Sequence, residues 1–324
     1  MSQTTRLIAL GIFLALVFVG IPLLIAHTAR SDLYYTLSSV ALLAIASGGV
    51  WLTFFIGRIN IGQGAYALLG GYVSAILIVQ FGLSFWLALP AAGLFCAAAS
   101  ILIGLPILRL RGVYFAMVTL VLTEVARLLA LALPITHGAK GIVNIPPPGA
   151  LGFFGMTLVP AFDSFNERNL PFYFLSATLM CICFGGIYRL VHSRIGRIFV
   201  ALQQNEELAS SMGVNVPAMR ILAYAISSFL GGIAGALFVA MAQSVYPASF
   251  TFTDSVNFML NCFVGGLGYA FGPLLGALVL YFGWDLLFQA GKYQLLIYSS
   301  LMIALMLVLP NGLLSVRLRK PSKH

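Results

Sequence analysis

Charge is what this sequence lacks most. Only 8% of its 324 residues are charged, 17 basic and 8 acidic, whereas a soluble domain carries about 25%. Because 61% of the residues are hydrophobic, the chain cannot cover a water-exposed surface with polar side chains. One helical span takes about 20 apolar residues. The composition therefore predicts an all-α, polytopic transmembrane helical bundle of about ten spans, in contact with the lipid bilayer.

Motifs for catalysis and for nucleotide binding are also missing. The sequence has no phosphate-binding Gly-x-x-x-x-Gly-Lys-[Ser/Thr] loop, no His-Glu-x-x-His and no Gly-x-Ser-x-Gly elbow. Its four cysteines and four histidines are dispersed, without the spacing of metal ligands. The net charge of +9 is spread along the chain, not gathered in a basic domain. We therefore expect neither an enzyme, nor a metal or cofactor held by this chain, nor nucleic-acid binding.

Ten apolar runs follow one another along the chain. The first is about 20 residues long, longer than the apolar core of about 7–15 residues in a cleaved signal, so it predicts a retained helix. Only a glycine-rich turn separates the eighth from the ninth, which leaves a re-entrant pair as the alternative to two full spans. The runs are 7–26, 33–55, 61–80, 84–108, 112–133, 171–190, 221–243, 255–268, 272–288 and 295–309.

The distribution of basic residues predicts the orientation. If the N-terminus is inside, the inner segments hold 12 lysines and arginines and the outer segments hold 4. Lys and Arg favour the cytoplasmic side of a membrane. An even number of spans then places both termini in the cytoplasm, which is consistent with that count.

The predicted single transmembrane domain, 1–324, has two loops that exceed turn length. The outer loop, 134–170, is rich in glycine and proline. The inner loop, 191–219, is polar and contains a helical pattern over 200–212 that Gly213 ends. Leu208 and Met212, four apart, give this helix one apolar edge. The side chains expected to face water are Gln203, Gln204, Asn205, Glu206 and Glu207. A polar helix outside the membrane is either a docking element or a plain connector.

Polar residues inside the spans are rare and usually functional. Glu124 and Arg127 lie three apart, on one helix face. Their opposite charges favour an internal ion pair, and the lining of a translocation path is the alternative. Asn60 and Gln63 stand near a glycine-rich segment that could break a helix at a binding site. The alternative is tight helix packing around small residues, which the later pattern Gly231-x-x-x-Gly235 also predicts. The candidate residues for a translocation path are Asn60, Gln63, Thr119, Thr123, Glu124, Arg127, Asn257 and Asn261.

Four stretches of the sequence resemble those of a known family, the inner-membrane permeases of branched-chain amino-acid ABC importers, in particular the LivM-type subunit. The first, NIGQGA, begins at Asn60 and the second, LRGVYFAMVTL, begins at Leu110. The third, SRIGR, begins at Ser193 and continues into the inner loop. The fourth covers 234–277 and includes GGLG. Together the stretches extend over about residues 40–312.

The resemblance implies that the inner loop contains a coupling helix. In the family this helix has a Glu, an Ala and a Gly, which correspond here to Glu206, Ala209 and Gly213. It sits in a groove of the ATPase subunit and transmits that subunit's closure to the spans, which favours docking over a plain connector. The implied coupling residues are Asn205, Glu206, Glu207, Ala209, Met212 and Gly213.

The resemblance also implies partners and a location. They are a LivH-type permease subunit, two ABC ATPase subunits that use Mg-ATP, and a periplasmic binding protein facing the outer loop at 136–146, in a bacterial inner membrane. The predicted function is permeation of branched-chain or related apolar amino acids by alternating access. A urea or short-chain amide importer is the alternative, because its permeases are very similar. An ion-coupled secondary transporter would need an unpaired acid in the membrane, but Glu124 has Arg127 beside it.

Overall fold

The computed structural model describes residues 15–28, 31–110, 112–153, 156–160, 162, 169–309 and 312–316. It is built of helices, with two small two-stranded sheets, which confirms the predicted all-α class. A π-helical turn, Leu16–Gly20, precedes the first helix. The helices are α1 (Ile21–Thr28), α2 (Asp32–Phe55), α3 (Gln63–Val79), α4 (Phe85–Ile107), α5 (Gly112–Ala132), α6 (Leu170–Val191), α7 (Arg194–Gln204), α8 (Glu206–Ser211), α9 (Val216–Ala242), α10 (Phe252–Gly265), α11 (Gly272–Leu286), α12 (Gln294–Val308) and α13 (Leu313–Val316).

Five of these helices are long and apolar enough to cross a membrane, namely α2, α4, α5, α6 and α9. Two shorter apolar helices, α3 and α11, lie among them. The first predicted span begins at residue 7, and its residues 7–14 lie outside the described part of the chain. The count of ten spans stays a prediction.

Helix α9 is the centre of the bundle and packs against α2, α3 and α4. Its glycines allow this, because a Cβ added at Gly235 would lie 1.9 Å from the carbonyl oxygen of Ala67 on α3. A Cβ added at Gly232 would lie 2.9 Å from the carbonyl oxygen of Ala92 on α4. The close helix packing predicted from Gly231-x-x-x-Gly235 is therefore confirmed, because both glycines face α3.

Helices α10 and α11 form a short pair that packs against α2. They have 14 and 15 residues, which is about 21–23 Å of helix against a hydrocarbon core of about 30 Å. The indole Nε1 of Trp51 on α2 donates to the carbonyl oxygen of Leu267 in the turn between them, at 2.8 Å. The choice between two full spans and a re-entrant pair stays a prediction.

The two long loops lie at opposite ends of α9. Near its start α9 contains Arg220, whose side chain contacts Glu206 of the inner loop. The other end of α9 leads into strand β4 (Ser244–Val245), which pairs antiparallel with β1 (Ile142–Val143) of the outer loop. The outer loop also contains the hairpin of β2 (Leu151–Phe153) and β3 (Met156–Val159). We call the end of the bundle that carries Arg220 the arginine-rich end.

Candidate functional site

The inner loop folds as two helices, so the prediction of one helix over 200–212 was wrong. The chain leaves helical geometry at Asn205, with φ −158° and ψ 108°. The Asn205 Oδ1 accepts from the backbone N–H groups of Glu207 and Leu208, each at 3.0 Å. An asparagine that caps the N-terminus in this way ends α7 and begins α8.

Helix α8 presents apolar side chains away from the bundle. Leu208 is 64% exposed and Met212 is 80% exposed, whereas Ala209 is buried. Gly213 then ends the helix at φ +84°, a conformation that glycine adopts without strain. The predicted stop at Gly213 is confirmed, and the two exposed side chains form one apolar edge, which we call the α8 edge.

Helix α7 attaches α8 to the bundle. Its apolar face is buried at Gly196, Phe199 and Leu202. Phe199 packs in one cluster with Leu52 of α2 and Ala223 of α9. A force on α8 therefore acts on the ends of two long helices through a packed apolar contact.

Glu206 is turned into the protein, although the sequence placed it with the wet side chains of the inner loop. Its carboxylate lies 3.1 Å from Nη2 of Arg58 and also contacts Nη2 of Arg220. The three side chains are 23%, 4% and 11% exposed, respectively. The expectation of a solvated Glu206 was wrong, because two arginines draw its carboxylate inward. Glu207 is exposed, as expected.

Hydrogen bonds connect the segment that contains the predicted path residues near the start of α3 to α5 and α9. The Asn60 Oδ1 accepts from the backbone N–H of Gly62 at 2.9 Å, and the Thr119 Oγ1 accepts from that of Ile61 at 3.1 Å. Asn60 and Thr119 are fully buried. These bonds fix the seven-residue connection between α2 and α3 against α5.

Gln63 spans the contact between α3 and α9. Its Nε2 donates to the backbone oxygen of Ser227 at 2.9 Å, and its Oε1 accepts from the Ser227 Oγ at 3.1 Å. The side chain fits between helices because Gly49 and Gly231 face it. A Cβ added at either glycine would lie within 3 Å of the Gln63 Nε2. The amide therefore has partners for both of its ends.

Thr123 and Asn261 also bond to other helices. The Thr123 Oγ1 lies 3.1 Å from the Ser255 Oγ, which accepts from the backbone N–H of Gly64 at 2.9 Å. The Asn261 Nδ2 donates to the Ser47 Oγ at 2.9 Å. Both residues are buried, whereas Asn257, one turn before Asn261, is partly exposed.

The serine partners of these residues were missed from the sequence. Ser47, Ser227 and Ser255 are buried in α2, α9 and α10. The feature that could have identified them is a hydroxyl group within an apolar helix. In a membrane such a group can form a hydrogen bond to a neighbouring helix. A serine hydroxyl often bonds to a carbonyl oxygen of its own helix instead, as at Ser38 and Ser74, so this signal does not identify a partner. A role of the path candidates in translocation stays a prediction.

Glu124 and Arg127 form the ion pair that their spacing favours. The Arg127 Nε lies 2.9 Å from the Glu124 Oε2 and 3.1 Å from its Oε1. The pair lies on α5, which is the least buried of the five long apolar helices. The side chains of Glu124 and Arg127 are 44% and 30% exposed. The pairing is confirmed, and a role in a path stays a prediction.

If the pair is mainly structural, Glu124→Ala alone will destabilise the protein more than Glu124→Ala combined with Arg127→Ala. The single change leaves a guanidinium without its carboxylate in the middle of a span, and the double change removes both charges. We expect this order of melting temperatures for the purified protein in detergent. Val121→Ala, one turn earlier on the same exposed helix, is the control and should cause little shift. Equal melting temperatures of the single and double variants would favour a path role.

The sequence matches a family model and several known proteins. The family model described as branched-chain amino acid transport system, permease component, matches residues 33–310. The chain is 34% identical over 276 residues to the LivM high-affinity branched-chain amino acid permease protein of Escherichia coli K12, across 80% of this chain and 64% of that protein. The LivM protein of Salmonella typhimurium is 35% identical over 271 residues, with the same coverage.

The relatives differ in how much of their own length the chain covers and in the solute for which they are named. The chain spans 64% of the length of the two LivM proteins. The ribose import permease RbsC of E. coli K12 is 26% identical over 290 residues and 86% of this chain, so proteins named for another solute are also similar. No solved structure matches the chain.

Proposed function

We infer that this chain, which belongs to the family of branched-chain amino acid transport system permeases, is the transmembrane permease subunit of an ATP-driven importer. The proposed solutes are branched-chain or related apolar amino acids. The observation that carries the proposal is the α7–α8 unit at the arginine-rich end. It is packed against two long helices and presents the exposed apolar α8 edge to a partner.

The proposed mechanism is alternating access driven from outside this chain. Two ATPase subunits consume Mg-ATP, and this chain binds no cofactor. When the ATPases close, one of them moves α8, and α7 passes that movement to α2 and α9 through Phe199. Because α9 packs against α2, α3 and α4, a shift of its first turn changes the packing of the whole bundle.

The proposed location is a bacterial inner membrane, with the arginine-rich end in the cytoplasm. Arg58, Arg109, Arg194, Arg197 and Arg220 all belong to loops or helix ends on that side, and basic residues favour the cytoplasmic face. Both termini then lie in the cytoplasm. The partner permease is proposed to be LivH-type, and a periplasmic binding protein would meet the outer loop.

The proposal is tested by uptake into proteoliposomes that hold the complete importer. With ATP inside and the binding protein outside, we expect radiolabelled leucine to accumulate, and we expect none when the ATPases are omitted. Unlabelled urea, acetamide and ribose serve as competitors. Competition by urea or acetamide instead of isoleucine would favour the amide importer. Uphill uptake by this chain alone, driven by an ion gradient without nucleotide, would contradict the proposal.

A further inference from the structure

Glu206 belongs to a partly buried ionic cluster at the arginine-rich end, and its partners come from two distant parts of the chain. Arg58 follows α2 and Arg220 lies in the second turn of α9. Arg58 is 4% exposed and Arg220 is 11% exposed. An exposed pair would contribute little to the structure, but charges withdrawn from water depend strongly on their partners. We call Glu206, Arg58 and Arg220 the ionic latch.

Arg58 extends the latch to a third helix. Its Nη1 donates to the carbonyl oxygen of Leu110, in the turn between α4 and α5. Its guanidinium carbon lies 5.9 Å from the ring centroid of Phe115, a residue of the first turn of α5. A planar guanidinium can bond to oxygen atoms at its edge while its face lies on an aromatic ring, and an ammonium group cannot. One carboxylate on α8 is thus connected to α2, α5 and α9.

A row of aromatic rings continues from the latch into the bundle. The ring of Phe115 lies 6.2 Å from that of Tyr224 on α9, and the ring of Tyr224 lies 5.6 Å from that of Tyr66 on α3. All three side chains are at most 1% exposed. Tightly packed side chains do not compress, so they transmit a displacement to their neighbours. This row of rings ends at Tyr66, one turn from Gln63, where α3 is bonded to α9.

The orientation of the carboxylate decides what it contacts. The family resemblance assigns Glu206 to a helix that meets the ATPase, and an acid on such a helix could pair with a base of that partner. In this structure both of its oxygens face arginines of the same chain. The exposed apolar side chains here are Leu208, within α8, and Met212, at its C-cap.

We propose that Glu206 is a positioning residue that acts toward its own bundle, and that the ionic latch transmits the movement of α8 to α2, α5 and α9. Docking on the ATPase then belongs to the α8 edge, and the latch transmits force alongside the apolar contact of Phe199. The inference rests on the proposed function, because it assigns a role within an ATP-driven importer.

The test separates docking from transmission in the complete importer in proteoliposomes. The variants are Glu206→Gln, Arg58→Gln and Arg220→Gln, with Glu206→Asp as the conservative change. Arg109→Gln is the control, because Arg109 is exposed in the same turn as Leu110 and its substitution removes the same charge as the two other arginine variants. Three quantities are measured for each: the ATPase that copurifies, the rate of ATP hydrolysis, and the solute transported per ATP.

We expect each Gln variant to retain its ATPase subunits and to hydrolyse ATP. The solute transported per ATP should fall by about 5- to 150-fold, which is the usual range of a coupling between two sites. Glu206→Asp should recover part of the loss because it keeps the charge, and Arg109→Gln should transport like the parent protein.

Two results would overturn the proposal. One is loss of the ATPase from the Glu206→Gln complex while Arg58→Gln and Arg220→Gln transport normally, because the carboxylate would then act on the ATPase. The other is normal transport per ATP by Glu206→Gln. If that variant does not fold, Arg58→Gln and Arg220→Gln replace it, since each removes one ion pair of the latch, and normal transport per ATP by both overturns the proposal equally. Absence of ATP-driven uptake by the parent complex would instead contradict the proposed function.

Discussion

Gly235→Ala is expected to prevent stable folding of the bundle or to lower its melting temperature sharply. The added Cβ would lie 1.9 Å from the carbonyl oxygen of Ala67 and 2.8 Å from the backbone nitrogen of Gly71. A side chain could rotate away, but these are backbone atoms of α3, so α3 and α9 must move apart. The cost should reach or exceed about 3 kcal/mol, the upper end of the usual range for overpacking. Thermal unfolding and gel filtration in detergent measure the effect.

Gly186→Ala is the matched control for this prediction. Gly186 also lies within a long apolar helix, α6, but nothing stands within 4 Å of the position of its Cβ. Alanine forms helices better than glycine by about 1 kcal/mol, so the control should be neutral or slightly stabilising. If the two variants unfold at the same temperature, α3 and α9 are not in close contact at Gly235.

The close packing at Gly235 shows what the sequence could predict about this fold. The four-residue spacing of Gly231 and Gly235 predicted a packed face, because small residues let backbones approach. It could not name the opposing helix, since spacing along one helix fixes a face and not its neighbour. Ala67 and Gly71 of α3 face Gly235 from a distant part of the sequence.

The inner loop shows a different limit. The stop at Gly213 was predicted because a glycine after a helix has a local cause. The start at Asn205 has a local cause too, a side-chain cap. It was missed because the helical pattern over 200–212 contains no obvious break. The inward turn of Glu206 has no local cause, because its partner Arg58 is 148 residues away.

The polar residues of the spans divide in the same way. Glu124 and Arg127 are three apart, so their pairing follows from helix geometry alone. Gln63 bonds to Ser227, 164 residues further along the chain, and Thr123 bonds to Ser255, 132 residues further along. Bonds of this kind depend on which helices become neighbours. The sequence identified one side of each contact, and the bundle supplied the other.

Leu208→Asp combined with Met212→Asp is expected to abolish uptake without destabilising the protein. The two side chains are 64% and 80% exposed, so the folded chain loses little apolar contact. In a docked complex the same positions would be buried, and two carboxylates would be withdrawn from water without partners. Loss of a central apolar contact weakens binding by about 2 kcal/mol or more, which is about 30-fold. We expect uptake at background and little copurifying ATPase, with an unchanged melting temperature.

Ser210→Asp is the control that separates the α8 edge from added charge in general. Ser210 is exposed on the same short helix, but it lies about 160° around the helix axis from both Leu208 and Met212. If the edge is the docking surface, Ser210→Asp retains its ATPase while Met212→Asp alone weakens the complex. If Ser210→Asp and Met212→Asp lose the ATPase equally, the added negative charge near the arginine-rich end causes the loss, and the apolar edge is not the docking surface. Retention of ATPase and uptake by the double variant would place docking elsewhere on the chain, because no ATPase could bury two aspartates at this position without a loss of affinity.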